Sequence, residues 1–160
     1  MLKIDLVYNV SVQLQRQLDT LLHASHQAHQ SATHCESKAE NKYDTLGLEA
    51  AYLAHGLSVR AQQLQRAISA FHQWVPRSFG ADDGVGVGAL VVLNDEQGVE
   101  KRFFVATQGG GIRVATEAGD VTVVTPAAPL GKALLGKQLD DEVVLQVDAV
   151  RKLYCVVGLT

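Results

Sequence analysis

Acidic side chains are concentrated in one polar stretch of the first half of the chain. The acids are Glu36, Glu40, Asp44 and Glu49, with Lys38 and Lys42 between them. Carboxylates held close together can bind a hard cation such as Mg²⁺, which prefers oxygen ligands and keeps several of its waters. A solvated, charged turn has the same composition, and residue content alone favours that simpler interpretation. A metal-binding role therefore depends on how the rest of the chain holds these acids.

Three histidines, His23, His26 and His29, are spaced three residues apart. On a helix this spacing spreads the side chains over about 120° of arc. Zinc needs ligands that converge, and no cysteine or carboxylate is spaced to complete such a set. We therefore expect these histidines to be solvent-facing polar residues.

The two cysteines, Cys35 and Cys155, show no paired metal-ligand spacing and indicate buried thiols of a reduced, cytosolic protein.

The glycine run Gly109–Gly111 resembles a phosphate-binding loop in composition only. It lacks the Lys-Ser/Thr ending of a P-loop, and it joins two predicted strands rather than a strand and a helix. We expect a hairpin loop there. No local Ser/His/Asp or Cys/His signature of a nucleophilic enzyme is evident.

The residues before Pro76 have the period of a coiled coil, with apolar or small residues at alternating intervals of three and four. The first series is Leu14, Leu18, Leu21, Ser25, Ala28, Ala32, Cys35 and Ala39. The second is Leu46, Ala50, Leu53, Leu57, Ala61, Leu64, Ile68, Phe71 and Val75. An extra residue between Leu57 and Ala61 is expected to change the supercoil locally. Residues 1–76 are thus predicted to form an antiparallel helical hairpin with its tip at residues 40–45.

The period changes to two after residues 77–84, whose Gly and Asp content is typical of a linker. The predicted strands are residues 85–93, 101–107, 112–114, 121–124, 142–147 and 153–157. A short helix is predicted over residues 129–135, because Pro129 suits a first helical turn and Gly136 suits a helix end. Residues 85–160 should form a compact antiparallel sheet with this helix on one face, which makes the chain an α+β protein.

Charge and hydropathy exclude several classes of function. The net charge is −3 and the pI is near 6.0, so we expect no strong independent binding of duplex DNA. The start of the chain carries no secretory signal, and no apolar run approaches the roughly 20 residues of a membrane span. A cytoplasmic protein without membrane association is expected.

The segment from Pro129 to Lys137, Pro-Leu-Gly-Lys-Ala-Leu-Leu-Gly-Lys, precedes an acidic turn and a strand. It resembles a block near the C-terminus of bacterial Gre-type transcript cleavage factors. The likeness in sequence is specific over residues 124–147, and Ala128 stands where serine is usual. The predicted order of hairpin, linker and β-rich domain is also the plan of that family. The resemblance implies an FKBP-like second domain that docks on RNA polymerase, at the rim of its secondary channel, through Pro129, Leu130, Gly131, Lys132, Leu134 and Leu135.

In that family the hairpin enters the channel, and its tip acids help to hold the second catalytic Mg²⁺. The polymerase then cleaves backtracked RNA near the nascent 3′ end. Matching Ala50-Ala51 to the family's pair of small residues places Asp44 at the second tip acid. Asn41 falls at the first, with Glu40 beside it. The resemblance implies that Asp44, Glu40 and Asn41 assist catalysis, that Asp44 and Glu40 share the Mg²⁺, and that the chain is no enzyme itself and binds no cofactor stably.

The neutral amide at Asn41 leaves two roles open: a cleavage factor, or a Gre-like regulator that occupies the channel without stimulating cleavage. A third hypothesis is a prolyl isomerase or chaperone, because FKBP-like domains often have that activity. Such a site needs clustered aromatic side chains, and from Asp82 onward the sequence offers Phe103, Phe104 and Tyr154. Neighbouring residues of a strand face opposite sides, so Phe103 and Phe104 should not share a pocket. This hypothesis ranks last.

Overall fold

A computed structural model describes residues 3–36, 45–80 and 82–160 of the chain. Two long helices, α1 (Lys3–Glu36) and α2 (Thr45–His72), form an N-terminal helical hairpin. The remaining elements are β1 (Leu90–Asp95), β2 (Glu100–Val105), β3 (Arg113–Val114), β4 (Val121–Val124), α3 (Pro129–Leu134), β5 (Glu142–Val147) and β6 (Val150–Leu159). The predicted α+β fold, a hairpin followed by a sheet with one short helix, is confirmed.

The chain divides into two compact units. One unit contains Met1–Val10 together with Ala70–Thr160, and the other is Ser11–Ser69. The first turns of α1 and the last turn of α2 therefore belong to the same unit as the sheet. The predicted domain border at residues 77–84 rests on sequence composition and stays a prediction.

Helix α2 buries an uninterrupted heptad series. The members of this series, all buried or half-buried, are Gly47, Ala50, Ala54, Leu57, Ala61, Leu64, Ile68 and Phe71. Ala67, which lies outside the series, is also buried. The predicted member Leu53 is 57% exposed, whereas Ala54 is 4% exposed. The prediction of an extra residue between Leu57 and Ala61 is therefore wrong. The regular spacing of a coiled coil places position 54, and not position 53, on the buried face of the helix. Val75, the last predicted member, lies beyond the end of α2 and is exposed.

Helix α1 buries a matching series along the hairpin. Leu14 and Leu18 are buried, and Leu21, Ser25 and Ala28 are half-buried, as the heptad pattern predicts. In both helices the side chains of the series become smaller in the half that adjoins residues 37–44. Small side chains allow two helix backbones to approach closely. The predictions for Ala32, Cys35, Ala39 and Leu46 lie outside the described side chains.

The sheet has the strand order β3-β4-β2-β1-β6-β5. Neighbouring strands are antiparallel except β2 and β4, which run parallel from the pair Arg102–Val121 to the pair Val105–Val124. The sheet is thus mixed, where an antiparallel sheet was predicted. Parallel neighbours need a crossover rather than a tight turn. Residues 106–120, which include the edge strand β3, provide that crossover.

The glycine run Gly109–Gly111 forms the turn of this crossover. Gly109 and Gly111 have φ angles of 76° and 87°, which glycine adopts at little cost. The Gly111 N–H donates to the Val123 carbonyl, and the Val123 N–H donates to the Ile112 carbonyl. The chain therefore reverses alongside β4. The predicted hairpin loop is wrong, because the run joins β2 to β3, which are not neighbours in the sheet.

The first predicted strand is shorter than expected, since β1 begins at Leu90 and not at Val85. The Val85 N–H donates to the Lys137 carbonyl, and the Gly136 N–H donates to the Val85 carbonyl. Val85 thus pairs with the residues that follow α3. Gly88, in the turn between Val85 and β1, has a φ of 93°. A strand cannot continue through that conformation.

Strands β5 and β6 form a hairpin that is longer than predicted. Val147 pairs with Val150 across a two-residue turn. Asp148 in this turn has a φ of 55°, a left-handed conformation that aspartate tolerates. Strand β6 therefore begins at Val150, three residues before its predicted start, and continues to Leu159.

One hydrophobic cluster lies between the sheet and α3. Its fully buried members include Val91, Leu93, Leu134, Val143 and Val156. Leu130 and Ala133 of α3 pack against the same cluster. On β2, Phe104 is fully buried and makes an edge-to-face contact with Trp74, with ring centroids 5.7 Å apart.

The register of the α2 series gives a test with a matched pair of leucines. Leu64→Ala removes a buried side chain and should lower the free energy of unfolding by about 2–4 kcal/mol. Leu53→Ala removes an exposed side chain and should change it by less than about 0.5 kcal/mol. Urea denaturation followed by circular dichroism measures both. Equal losses at the two positions would contradict a buried series that contains Leu64 and excludes Leu53.

Candidate functional site

Helix α3 owes its short length to the residues at its two ends. Pro129 occupies the first turn, and Ala128 precedes it in an extended conformation with φ −69° and ψ 152°. No side chain caps this end of α3. Alanine at position 128 cannot supply the capping oxygen that serine would offer. Beyond Leu134 the chain turns away, and Gly136 has a φ of 76° that suits glycine.

Gly131 determines how closely α3 approaches the end of β4. A Cβ atom added at Gly131 would collide with the carbonyl oxygen of Thr125. That carbonyl also accepts a hydrogen bond from the Ala128 N–H at 3.0 Å. A larger residue at position 131 would therefore displace α3 or break this contact. The absence of a side chain at position 131 is therefore needed for the packing of α3.

The six predicted docking residues lie in two layers. The inward layer, which is buried or half-buried, consists of Leu130, Gly131 and Leu134. The outward layer, which we call the α3 face, consists of Pro129, Lys132 and Leu135. Leu135 is 40% exposed, although it is an apolar residue. The sequence block thus combines residues that seat the helix with residues that a partner can touch.

The predicted tip residues Glu40, Asn41 and Asp44 lie outside the described residues. The predicted Mg²⁺ ligands, Asp44 and Glu40, are among them. Glu49, which belongs to the same acidic stretch, is exposed near the start of α2. These assignments therefore stay predictions.

The histidine and cysteine residues have ordinary surroundings. His23, His26 and His29 are all exposed on α1, and the His26 Nε2 lies 3.1 Å from the Gln30 Nε2. Across residues 3–36, 45–80 and 82–160, no group of three or more His, Cys, Asp or Glu side chains is placed to hold a metal ion. Cys155 is a half-buried free thiol. The side chain of Cys35 lies outside those described.

A cavity of about 440 Å³, which the sequence did not predict, lies beside the start of α1. The Lys3 Nζ donates to the carbonyl oxygens of Arg77, at 2.7 Å, and Gly88, at 3.1 Å. The Lys3 ammonium and the Arg77 guanidinium lie 4.9 and 4.8 Å from the centre of the Phe79 ring. Partial burial lowers the pKa of Lys3. These contacts fasten the start of α1 to the chain that leads into the sheet, and no local pattern could join residues so far apart.

A polar cluster at the turn between β1 and β2 also has a structural explanation. The Asp95 carboxylate accepts hydrogen bonds from the N–H groups of Val99 and Gln97, and it lies 3.1 Å from the Lys101 Nζ. The Val99 N–H and then the Lys101 ammonium lower the pKa of Asp95. Asp95 in turn raises the pKa of Lys101, which also lies over the Tyr154 ring. The Asp95 carboxylate thus stabilises the turn through these contacts.

No family model and no curated protein matches the chain. It is similar to the crystal structure of GreA factor homolog 1 (Gfh1) of Thermus thermophilus, with 20% identity, 94% of each chain covered and a TM-score of 0.40. For Thermus aquaticus Gfh1 the identity is 22%, the coverage 92% of this chain and 91% of that one, and the TM-score 0.41.

The chain is also similar to the structure of a prokaryotic transcription elongation factor GreA/GreB from Nitrosomonas europaea. Its identity is 18%, with 61% of this chain and 78% of that chain covered and a TM-score of 0.39. These neighbours are Gre-type transcription factors. At identities and TM-scores this low the likeness carries no argument, so the fold and any function must be argued from the residues of this chain. In the described part of the chain, no helix is long and apolar enough to cross a membrane.

The close packing of α3 against the end of β4 can be tested with two helical glycines. Gly131→Ala should lower the free energy of unfolding by about 1–3 kcal/mol, because the added methyl group meets the Thr125 carbonyl. Gly56→Ala in α2 meets no atom within 4 Å, so it should raise that free energy by up to about 1 kcal/mol. Thermal and urea unfolding of the two variants measure the signs. A stabilising Gly131→Ala would refute the close packing of α3.

Proposed function

We propose that this chain is a Gre-type transcription elongation factor that binds bacterial RNA polymerase at its secondary channel. The observation that carries the proposal is the block from Pro129 to Lys137. It resembles the docking block of Gre-type factors, and it folds into a helix whose outward layer is Pro129, Lys132 and Leu135. The helical hairpin is the element that would enter the channel.

The α3 face combines two kinds of contact. Pro129 and Leu135 offer exposed apolar surface, and Lys132 offers a positive charge to a carboxylate on the polymerase. The inward layer is fixed by the fully buried Leu134. Binding to a rigid helix loses less conformational entropy than binding to a flexible loop. The face is small, so other contacts of the complex would have to add to the affinity.

The acidic stretch between the two helices would supply the chemistry. In this proposal Asp44, with Glu40 and Asn41 nearby, is brought into the polymerase active site. There Asp44 and Glu40 share a Mg²⁺ ion with the polymerase and help to position a water molecule. The polymerase itself cleaves the backtracked RNA near its 3′ end. The chain is then an accessory factor of the cytoplasm, and it binds no cofactor stably on its own.

A second candidate function is a Gre-like regulator that occupies the secondary channel without stimulating cleavage. The specific observation in its favour is Asn41, a neutral amide at the position where the resemblance expects the first tip acid. An amide can coordinate a metal weakly, but it contributes no negative charge. Both functions use the same docking surface, so the tip residues alone distinguish them.

A prolyl isomerase is less well supported by the described residues. Phe104 is fully buried and packs edge-to-face against Trp74, whereas the neighbouring Phe103 joins the hydrophobic cluster below α3. The two rings therefore do not line one pocket. An aromatic cradle for a proline ring would need residues that are already engaged in the core.

The cleavage function predicts a defined response in a purified, backtracked bacterial elongation complex. Wild-type protein should shorten the RNA, and Asp44→Ala should abolish shortening because it removes a Mg²⁺ ligand. The variant should still compete with a genuine Gre factor for the polymerase. Inactive wild-type protein that gains cleavage through Asn41→Asp would instead support the second candidate. Unchanged cleavage by Asp44→Ala would sink the proposed mechanism.

The docking function predicts that the α3 face determines affinity for RNA polymerase. Leu135→Ala and Lys132→Ala together should weaken binding by at least roughly fivefold, the equivalent of about 1 kcal/mol. Val99→Ala, at an exposed valine in the turn between β1 and β2, should leave binding unchanged. Fluorescence anisotropy with core polymerase measures all three proteins. Equal binding by the double variant and the control would remove α3 from the interface.

A further inference from the structure

The sheet ends in one long open edge. Strand β5, with six residues, is the last strand on one side, whereas the other edge strand, β3, has two. Among the residues that the structure describes, no strand pairs with the outer side of β5. An edge of this length presents a row of unpaired backbone N–H and C=O groups, which is a template for another strand.

The hairpin register shows which backbone groups lie on this edge. Val147 and Val150 flank a two-residue turn and therefore form a hydrogen-bonded pair. Hydrogen-bonded and non-hydrogen-bonded pairs alternate along an antiparallel ladder. Glu142, Val144 and Gln146 belong to the non-hydrogen-bonded pairs with β6, so their N–H and C=O groups point outward. The bond from the Val156 N–H to the Asp141 carbonyl agrees with this alternation.

The side chains of these three residues share one face and reach solvent. Glu142, Val144 and Gln146 are exposed, whereas Val143 is fully buried and Leu145 is half-buried on the opposite face. Val144 is 40% exposed although valine is apolar. The open edge therefore has an apolar centre with a polar residue on each side.

We propose that β5 pairs with β5 of a second copy of this chain, antiparallel and about a two-fold axis at Val144. The two sheets then continue into one another. Val144 lies opposite Val144 of the second copy, and Glu142 lies opposite Gln146. Each of these three residues donates one backbone hydrogen bond and accepts one, which gives six bonds across the edge. This inference does not depend on the proposed role in transcription.

The register centred on Val144 suits the residues of β5 better than registers shifted by one or two residues. A shift by one residue would place the buried face opposite the exposed one. A shift by two would leave Glu142 or Gln146 without a partner and lose two of the six bonds. In the proposed register no like charges are opposed, and each glutamate meets an amide that can donate to it. A two-fold axis also closes the assembly at a dimer, since each copy uses the longer of the two edges of the described sheet.

The dimer should be weak and concentration-dependent. The five paired residues of each strand, 142–146, span about 17 Å, so the interface falls well below the roughly 1,200 Å² of a standard stable complex. Sedimentation velocity from micromolar to near-millimolar protein should show a sedimentation coefficient that rises with concentration towards that of a dimer. A constant monomer value throughout would overturn the proposal.

A matched pair of valines locates the interface. Val144→Lys should abolish the concentration dependence, because a charge replaces the apolar centre of the edge. Val157 is also 40% exposed but lies on β6, which has a neighbour on each side. Val157→Lys should therefore associate like the wild type, and far-UV circular dichroism checks that both variants fold. Equal behaviour of the two variants would refute pairing through β5.

Two charge substitutions on β5 test the register. They also distinguish a second copy of this chain from any other partner of the open edge. Gln146→Glu opposes two like-charge pairs across the two-fold axis and should weaken the dimer by roughly fivefold. Adding Glu142→Lys converts both pairs to opposite charges and should restore or strengthen it. No weakening by Q146E, or no recovery in the double variant, would contradict this register.

Discussion

The contact between Gly131 and the Thr125 carbonyl is the constraint on which the proposed docking surface depends. It lets α3 lie directly on the end of β4, where any side chain at position 131 would hold the helix away. Leu134 then reaches the core and is fully buried. With these two residues fixed, Pro129, Lys132 and Leu135 must face outward. The block resembles one binding motif in sequence. In the structure, however, three of its six predicted docking residues pack against the domain, and the other three are exposed to a partner.

The hairpin illustrates how much a periodic pattern predicts. The existence of both helices and most of the buried series follow from the heptad spacing. The sequence-based prediction placed Leu53 in the series instead of Ala54, because leucine is the more hydrophobic of the two. In the structure Ala54 is the buried residue, because its position, and not its hydrophobicity, decides which residue faces the partner helix. Once Ala54 takes its place, the series runs without interruption. Regular spacing is therefore a better guide to a coiled-coil seam than the apolar character of single residues.

The sheet shows where such reasoning ends. The bounds of β4 and β5 and the start of α3 match the predictions, since alternation, Pro129 and Gly136 are local signals. The parallel pairing of β2 with β4 has no local signal, because it depends on a crossover that brings distant segments together. The clamp of Lys3 on Arg77 is likewise a contact between distant residues. The predicted acids at residues 40 and 44 lie outside the described residues.

Photo-crosslinking can show whether α3 docks on RNA polymerase. A photo-reactive amino acid would replace Leu135 in one protein and Val99 in a control, since both side chains are exposed. We expect a crosslink from position 135 to a polymerase subunit, suppressed by an excess of a genuine Gre factor, and no crosslink from position 99. Absence of a crosslink from position 135, or a crosslink that the Gre factor does not suppress, would contradict docking through α3.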